Sequence, residues 1–362
     1  MRTYIMIVAA VLVLSSFISR QNRVALVLNE EEKTAQKDRN LMWLISLILI
    51  FFAGVRFRVG ADYLSYASYY GGYFMDELEL FGEPGIRIIA RLAHWIYDDY
   101  ATMFIIMSII TVGLCLYRIA KSSPFWMVSV LMYIFLGCWH SSFNAVRQCA
   151  AAAILFAGHP YLKKKQFMPW LLVVCVASLF HISAIVFIAL YWLPTKKLTL
   201  KKVIFFLCVG IVMAFVYDII WDFVGFLKDT EDMGTTVYET NHINAFRIIV
   251  AWIPIVFYML VVKKHVELGE RSAMNFYANM SLVGAAIVLA ARYSAYLARM
   301  VVYTDLYNTL FWAYLIKDLF THQKTMKDKR IWLFIILGCY FLYYLYEANG
   351  VYLVNYQTIF TR

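Results

Sequence analysis

Five arginines lie near the ends of apolar segments, where a charged side chain is costly unless it faces a bundle interior or an aqueous cavity. Arginine presents a planar fork of donors that matches phosphate oxygens in a bidentate manner, and it keeps its proton in a half-buried site. The group therefore indicates an anion-binding site, although arginines at helix ends can also bury their stems and reach lipid phosphates. The five are Arg56, Arg58, Arg147, Arg292 and Arg299.

Arg147 belongs to a short polar pattern at the start of SSFNAVRQCAAAAILFAG. Asn144, Arg147 and Gln148 are spaced i, i+3 and i+4, so we expect them on one side of a helix that begins there. The alanines that follow allow another helix to approach closely. Polar groups at one end of such a helix indicate the wall of a cavity.

Arg292 and Arg299 form a second pattern together with two tyrosines. Arg292, Tyr296, Arg299 and Tyr303 are spaced i, i+4, i+7 and i+11, which predicts a row along one face of a single helix. Interaction with lipid phosphates explains such a row less easily than a shared ligand does.

Tyrosines dominate the stretch DYLSYASYYGGY, residues 62–73. If it is helical, Tyr63, Tyr66, Tyr70 and Tyr73 form one stripe, and the glycine pair 71–72 is expected to end the helix early. The stripe is typical of an aromatic belt at a membrane interface. It is equally typical of a flat aromatic wall whose hydroxyl groups bind a sugar.

The segment EPGIRIIARLAHWIYDD, residues 83–99, predicts a helix with Pro84 near its first turn. Its arginines lie on one face, whereas Ile89, Ala93 and Ile96 lie on another, so we expect it in the plane of the membrane. It could form the floor of a lateral opening for a lipid-linked substrate, or it could be a purely structural helix.

The composition places these segments in a membrane protein. Hydrophobic residues make up 63% of the 362 residues and charged residues 15%, and the mean hydropathy is +0.67. We expect an all-α polytopic membrane protein with about ten transmembrane helices, forming one domain over 1–362 without a separate soluble domain. The first apolar run has the length of a signal peptide but lacks a small-x-small cleavage pattern, so we interpret it as a span. The predicted spans are 4–19, 41–55, 101–119, 124–140, 143–158, 203–221, 245–262, 273–290, 298–316 and 331–346.

Lysine predicts the orientation of these spans. Sixteen of the 17 lysines lie in six short loops, which the positive-inside rule assigns to the cytoplasm. Both termini are then outside, and the predicted outer segments are 56–100, 222–244 and 347–362. The five arginines fall on the outer side, so the net charge of +10 does not indicate nucleic-acid binding.

The apolar run 167–193 is different, because cationic loops lie on both sides of it. A single crossing would place one of these loops on the wrong face of the membrane. We therefore expect a re-entrant helical pair that is broken near Phe180 and His181, with His181 at its tip. The alternative is one long tilted helix with a buried histidine.

Three motifs in this chain carry a family resemblance. RFRVGADYLSY contains G-x-D-Y-x-x-Y, SFNAVRQCAAAAI contains N-x-x-R-Q-x-x-A, and LFHISAIV contains F-H-x-S-A. In this order they resemble the motifs of the EpsG family, the Wzy-like bacterial polysaccharide polymerases. ARMVVYTDLY and NYQTIF are weaker similarities.

The resemblance implies a membrane glycosyltransferase related to C-type glycosyltransferases and O-antigen ligases. Such an enzyme transfers a growing glycan from undecaprenyl diphosphate to a lipid-linked repeat unit at the outer face of the bacterial cytoplasmic membrane. Its products would be O-antigen, capsule or exopolysaccharide. Besides the lipid-linked donor and acceptor and the membrane lipids, its partners could include a chain-length regulator and a flippase.

In such a reaction, fixed arginines would stabilise the departing diphosphate and could replace a metal ion, so no metal or cofactor is expected. We assign the diphosphate first to Arg147, Arg292 and Arg299, and next to Arg56 and Arg58.

Two further sets of side chains are expected at the reaction centre. The predicted sugar-binding residues are Tyr63, Tyr66, Asn144 and Gln148. A general base would deprotonate the acceptor hydroxyl. Asp62 is the first candidate, His181 the second and Glu83 the third, although diphosphate is a good leaving group and a base could be unnecessary.

Other functions fit the sequence less well. An O-antigen-ligase-like transferase would use the same chemistry, whereas a flippase or exporter of lipid-linked oligosaccharide would be expected to contain structural repeats, which the sequence lacks. An O-acyltransferase would need an acid next to its histidine, and HISAIV has none. P-loop and G-x-G-x-x-G motifs are absent from the sequence, which argues against ATP and dinucleotide chemistry.

Overall fold

The computed structural model describes residues 2–17, 32–79, 82–193, 197–228, 243–262, 271–322, 325–350 and 356–361. Most of the predicted outer segment 222–244, and residues 351–355 of segment 347–362, lie outside these ranges. The chain divides into two compact units. The interpretation of 1–362 as one membrane domain stays a prediction. The first unit comprises Met1–Trp192 and Gln323–Arg362, and the second comprises Leu193–His322.

The described residues are mainly helical, which confirms the all-α class. The α-helices are α1 (Arg2–Ser16), α2 (Glu32–Gly54), α3 (Tyr63–Ser68), α4 (Tyr70–Met75), α5 (Pro84–Ile96), α6 (Tyr100–Ser122), α7 (Trp126–Phe135), α8 (Cys138–Ser141), α9 (Val146–Lys163), α10 (Phe167–Ser178), α11 (Leu200–Lys228), α12 (Ala245–Phe257), α13 (Arg271–Ala290), α14 (Ala295–Arg299), α15 (Val302–His322) and α16 (Met326–Gly350). The 3-10 helices are Ile182–Trp192, Ala291–Tyr293 and Ile359–Thr361, and Tyr258–Val262 is a π-helix. Two short strands, β1 (Arg56–Phe57) and β2 (Gln357–Thr358), pair antiparallel.

Four of the described helices are long and apolar enough to cross a membrane: Tyr100–Ser122, Ala245–Val262, Ala273–Tyr293 and Lys327–Ala348. Further apolar helices of 10–17 residues include Arg2–Ser15, Asn40–Gly54, Trp126–Phe135 and Phe167–Ser178. The predicted span 124–140 is divided into α7 and α8 at Gly137, whose φ of 77° is the left-handed conformation that favours glycine. A membrane protein is therefore supported, and the number of crossings stays a prediction.

The apolar run 167–193 forms a helical hairpin. Helix α10 ends at Ser178, and a 3-10 helix over Ile182–Trp192 returns alongside it. At the open end of the hairpin, the Tyr191 hydroxyl donates to the Lys165 carbonyl at 3.0 Å. The predicted break near Phe180 and His181 is therefore confirmed, and the alternative of one long helix is wrong.

Two predictions about helix continuity are wrong. The row of Arg292, Tyr296, Arg299 and Tyr303 does not lie on one helix, because it is divided among a 3-10 helix, α14 and α15. Ser294 has an extended backbone there, and its hydroxyl accepts a hydrogen bond from the Leu297 amide as the N-cap of α14. The side chain of Tyr296 lies outside the described residues.

The tyrosine-rich stretch forms two short helices, α3 and α4, that meet at Tyr69. The glycine pair 71–72 was expected to end the helix, but it lies inside α4. Tyr63, Tyr66 and Tyr70 do share one face, which is buried against α5 and α6. Aromatic packing therefore accounts for most of this stripe, including the stacking of Tyr63 on Phe104 at 4.6 Å between ring centroids.

Candidate active site

The candidate site begins where helix α5 meets the break in the helical hairpin. Glu83 precedes the helix in the left-handed conformation, with φ of 55°, and Pro84 occupies the first turn. The Gly85 amide donates to the Leu179 carbonyl at 2.8 Å. A Cβ atom on Gly85 would lie 2.8 Å from both that oxygen and Cγ of Phe180, so the close approach requires glycine. The start of α5 is thus fixed against the hairpin break.

The Glu83 carboxylate joins three elements at this point. Its Oε2 lies 2.5 Å from Nη1 of Arg147 on α9. Its Oε1 accepts a hydrogen bond from the Ile182 amide at 3.1 Å and lies 3.9 Å from Nδ1 of His181. The side chains of Glu83, His181 and Arg147 are 13%, 27% and 35% exposed, so the cluster is half-buried but can be reached from solvent.

Arg147 is held on its other side by Tyr66. Its Nε donates to the Tyr66 hydroxyl at 3.4 Å, and its guanidinium carbon lies 5.8 Å from the centroid of the Tyr66 ring. Burial raises the pKa of the Tyr66 hydroxyl above its ordinary value of 10.0, while the Arg147 charge opposes this shift. The hydroxyl therefore keeps its proton at neutral pH and leaves the full positive charge on Arg147.

Arg56 occupies a different environment, with only 2% of its surface exposed. Its guanidinium lies 4.7 Å from the Phe104 ring centroid and 5.2 Å from that of Phe143, and it donates to the carbonyls of Ala53 and Phe143. Burial lowers the pKa of Arg56 to about 10, so it remains charged at neutral pH. Through these contacts Arg56 has a structural role at the end of α2.

The loop after Arg56 packs against the segment that precedes α9. Gly60 has a φ of 107°, and a Cβ atom there would lie 2.4 Å from the Phe143 carbonyl oxygen. The next amide, of Ala61, donates to Oδ1 of Asn144 at 2.7 Å. Asn144 lies before the first residue of α9, Val146. The prediction that Asn144 shares a helix face with Arg147 is therefore wrong. The G-x-D-Y and N-x-x-R-Q motifs nevertheless meet directly.

A segment near the C-terminus supports the same loop. Strand β2 pairs with β1, with Thr358 opposite Arg56, and the Ile359 amide donates to the Val55 carbonyl at 2.9 Å. The Tyr356 hydroxyl donates to the Phe52 carbonyl at 2.5 Å. Residues 356–359 of the NYQTIF sequence thus hold the end of α2 and strand β1 together.

The remaining predicted residues of the first unit are placed as follows. Arg58 is exposed, with φ of 52° and its guanidinium 5.3 Å from the Phe57 ring centroid. Asp62 is half-buried at the start of α3 and makes no capping hydrogen bond. Tyr63 and Gln148 are buried, with 1% and 4% of their surfaces exposed.

Arg292 and Arg299 belong to the second unit. Arg292 donates to the carbonyl of Ile243, whose amide donates back to the Arg292 carbonyl at 3.2 Å. Its guanidinium lies 5.7 Å from the Tyr293 ring centroid. Arg299 is exposed. Their assignment to a diphosphate stays a prediction.

Of the residues predicted for the site, the structure brings Arg147, Tyr66 and His181 together around Glu83. From the sequence, Glu83 was only the third candidate for the general base. The signal for it was weak, namely an acidic residue directly before Pro84 at the start of an amphipathic helix. Its importance comes from tertiary contacts with α9 and with the hairpin break, which spacing along the chain does not reveal.

Comparison with known proteins supports the motif resemblance. A model of the EpsG family matches residues 39–358, a range that includes all three motifs and the residues around Glu83. The chain belongs to the EpsG family. This EpsG family comprises Wzy-like polysaccharide polymerases, so membership implies a glycosyltransferase-type polymerase of polysaccharide biosynthesis. No curated protein and no solved structure matches the chain significantly.

Proposed function

We propose that the protein polymerises a polysaccharide by transferring the growing glycan from undecaprenyl diphosphate to a lipid-linked repeat unit. The transfer takes place at the outer face of the bacterial cytoplasmic membrane, toward the periplasm or the cell exterior. EpsG family membership supports the reaction class, and the positive-inside pattern of the lysines supports the side of the membrane.

The observation that carries the proposal is the guanidinium of Arg147, which is held in place while still accessible. Its Nη1 and Nε are engaged by Glu83 and Tyr66, and about a third of the side chain remains exposed. A cation fixed in advance requires little reorganisation when negative charge develops beside it. Arg147 is therefore well suited to bind the diphosphate and to stabilise it as it departs.

The reaction forms one bond and breaks one bond at the anomeric carbon of the donor. The acceptor hydroxyl oxygen bonds to this carbon and gives its proton to a base or to solvent. The bond between the anomeric carbon and the diphosphate oxygen breaks, and its electron pair leaves with the diphosphate. Negative charge therefore accumulates on the leaving oxygen, where Arg147 lowers its energy. Arg58, which is exposed in the same unit, is a second candidate ligand of the diphosphate. No step of the proposal uses Arg292 or Arg299.

We assign the sugar to the exposed side of helices α3 and α4. Tyr63 is enclosed in the core, whereas Tyr69 is 51% exposed and Tyr73 is half-buried, with their ring centroids 4.9 Å apart. Tyr66 contacts both Arg147 and Tyr73. Aromatic rings with hydroxyl groups can stack on a sugar and bind its hydroxyls. Tyr66 itself is buried, so we assign the glycan next to the diphosphate to Tyr69 and Tyr73.

The test uses purified protein in detergent, incubated with lipid-diphosphate-linked repeat units and a chelator, without nucleotide. The products are resolved by size. We expect a ladder of repeats together with released undecaprenyl diphosphate. Unchanged monomer, despite demonstrated binding of the lipid-linked unit, would contradict the polymerase and favour a transporter, for which translocation into proteoliposomes is the matching assay.

A further inference from the structure

We propose that Glu83 is a positioning residue whose release by the donor prepares His181 to act as the general base. In this scheme the diphosphate displaces the Glu83 carboxylate from Arg147, and the carboxylate then engages Nδ1 of His181. The inference rests on the proposed polymerase function, and it adds an order of events, since the base becomes competent only after the donor has bound.

In the structure, the ring of His181 is held in a form that cannot act as a base through Nε2. The Ser183 amide lies 3.3 Å from Nδ1 of His181, and the Ser183 hydroxyl lies 2.8 Å from the same nitrogen. A backbone amide can only donate, so Nδ1 is an acceptor here. The proton of the neutral ring is therefore on Nε2, and the lone pair of Nε2 is unavailable.

Glu83 is the group that can reverse this arrangement. Its Oε1 lies 3.9 Å from Nδ1 of His181, about 1 Å beyond hydrogen-bond distance. A carboxylate at that distance favours the tautomer with the proton on Nδ1, as in the triads where an acid orients a histidine. Nε2 of His181 then has a lone pair that can accept the proton of the acceptor hydroxyl.

Arg147 prevents this step in the absence of donor. It holds Oε2 of Glu83 at 2.5 Å, while the Ile182 amide holds Oε1. A diphosphate carries more negative charge than one carboxylate and offers paired oxygens to the guanidinium fork, so it can replace Glu83 on Arg147 while the Tyr66 hydroxyl keeps Nε in place. The backbone of Glu83 cannot move far, because Pro84 and the bond from Gly85 to Leu179 fix it. The released carboxylate therefore remains next to His181.

The proton balance of the step is simple. The half-buried ring gives up the hydrogen bonds from Ser183 to Nδ1. It then loses its Nε2 proton to solvent and gains one on Nδ1, which donates to Glu83. Nε2 next takes the proton of the acceptor hydroxyl as its oxygen bonds to the anomeric carbon and the diphosphate departs with the electron pair. The imidazolium finally returns one proton to solvent.

The test compares Glu83→Gln, His181→Asn, the double variant and Glu79→Gln, in which an exposed glutamate of the same outer segment loses its charge. In Glu83→Gln the side chain keeps its shape and an acceptor for the Ile182 amide, and thermal unfolding in detergent verifies that each variant is folded. Binding is measured with undecaprenyl diphosphate, and turnover is measured from the polymer ladder at saturating donor.

We expect Glu83→Gln to bind undecaprenyl diphosphate about tenfold more tightly, because no carboxylate competes for Arg147. Its turnover should fall about tenfold or more, and the double variant should be no slower than His181→Asn alone, since both residues act in one step. Glu79→Gln should change neither quantity. A purely structural role would not raise affinity while lowering turnover.

Unchanged turnover in Glu83→Gln, or additive losses in the double variant, would overturn the inference while leaving the polymerase proposal intact. If the wild type binds undecaprenyl diphosphate but forms no polymer, the polymerase proposal fails by itself. In that case the binding measurement still tests whether the diphosphate replaces Glu83 on Arg147. Equal affinity of wild type and Glu83→Gln for undecaprenyl diphosphate would overturn this replacement.

Discussion

The substitution Gly60→Ala tests the contact on which the candidate site is built. Gly60 lies in the loop between β1 and α3, with φ of 107°, and a Cβ atom would meet the Phe143 carbonyl at 2.4 Å and Oδ1 of Asn144 at 3.0 Å. Both neighbours are held, the first as a backbone atom and the second by its bond to the Ala61 amide. The loop therefore has to move if a methyl group is added.

The size of the effect follows from two contributions. Overpacking of a well-packed site costs about 1–3 kcal/mol. A side chain in a backbone conformation with positive φ costs about 1–2 kcal/mol more. We expect the free energy of unfolding to fall by about 2–5 kcal/mol, and the transfer rate to fall as well, because the displaced loop contacts the segment that leads into Arg147.

Gly71→Ala is the matched control. Gly71 lies in helix α4, and a Cβ atom there would have no neighbour within 4 Å, so alanine should stabilise the protein by about 0.5–1 kcal/mol. Unfolding of both variants is followed by titration with dodecyl sulfate in mixed micelles, together with the polymer ladder. If Gly60→Ala were as stable and as active as Gly71→Ala, the close contact between the two motifs would be refuted.

Three further substitutions separate structural from catalytic roles. Asp62→Asn should keep the transfer rate within about threefold of wild type, because a general base contributes about 10²–10⁴, and a loss of that size would return the role of base to Asp62. Arg56→Lys should lower the free energy of unfolding by about 1–3 kcal/mol, because lysine cannot both stack on Phe104 and donate to two carbonyls. If the variant were fully stable and lost only donor binding, Arg56 would instead be a ligand of the diphosphate. Tyr356→Phe should cost about 0.5–1.5 kcal/mol through its bond to Phe52, and an unchanged unfolding curve would argue against this support by the C-terminal segment.

Helix positions and the hairpin were largely predictable from the sequence. Long apolar runs must satisfy their backbone polar groups internally, so helices were expected there. Lysines on both sides of 167–193 required an even number of crossings, and the break at Phe180 and His181 was placed accordingly. Helix α5 was also predictable, because Pro84 marks its start and Ile89 and Ala93 recur with helical spacing on the face that is buried.

The arrangement of the site was less predictable, because it depends on backbone conformations that residue types only weakly determine. Spacing placed Asn144 on the same helix as Arg147, whereas the helix begins at Val146 and Asn144 instead binds the Ala61 amide. Glu83 gains its contacts from a left-handed backbone and from the docking of Gly85 on Leu179. Such contacts join residues far apart in sequence, and one chain considered alone carries no record of them.

The different environments of the five arginines could not be predicted from the sequence. All five share residue type and location near span ends, yet Arg56 is enclosed by Phe104 and Phe143 whereas Arg147 is partly open. The difference arises from packing among α3, α6 and the segment before α9. Hydropathy reports that an arginine lies near a membrane boundary, but not whether its guanidinium faces carbonyl groups or solvent.

We expect the Arg147 guanidinium to stabilise the departing diphosphate, and the rate of a single transfer in Arg147→Lys measures this contribution. The measurement uses saturating donor and a chelator, and Arg2→Lys, which changes an exposed arginine outside the candidate site, serves as the control. Lysine keeps the charge but loses the bidentate fork, so we expect the Arg147→Lys rate to fall about 10²- to 10³-fold, in a variant that thermal unfolding shows to be folded. A transfer rate near that of the wild type would contradict the claim and leave Arg147 with a structural role.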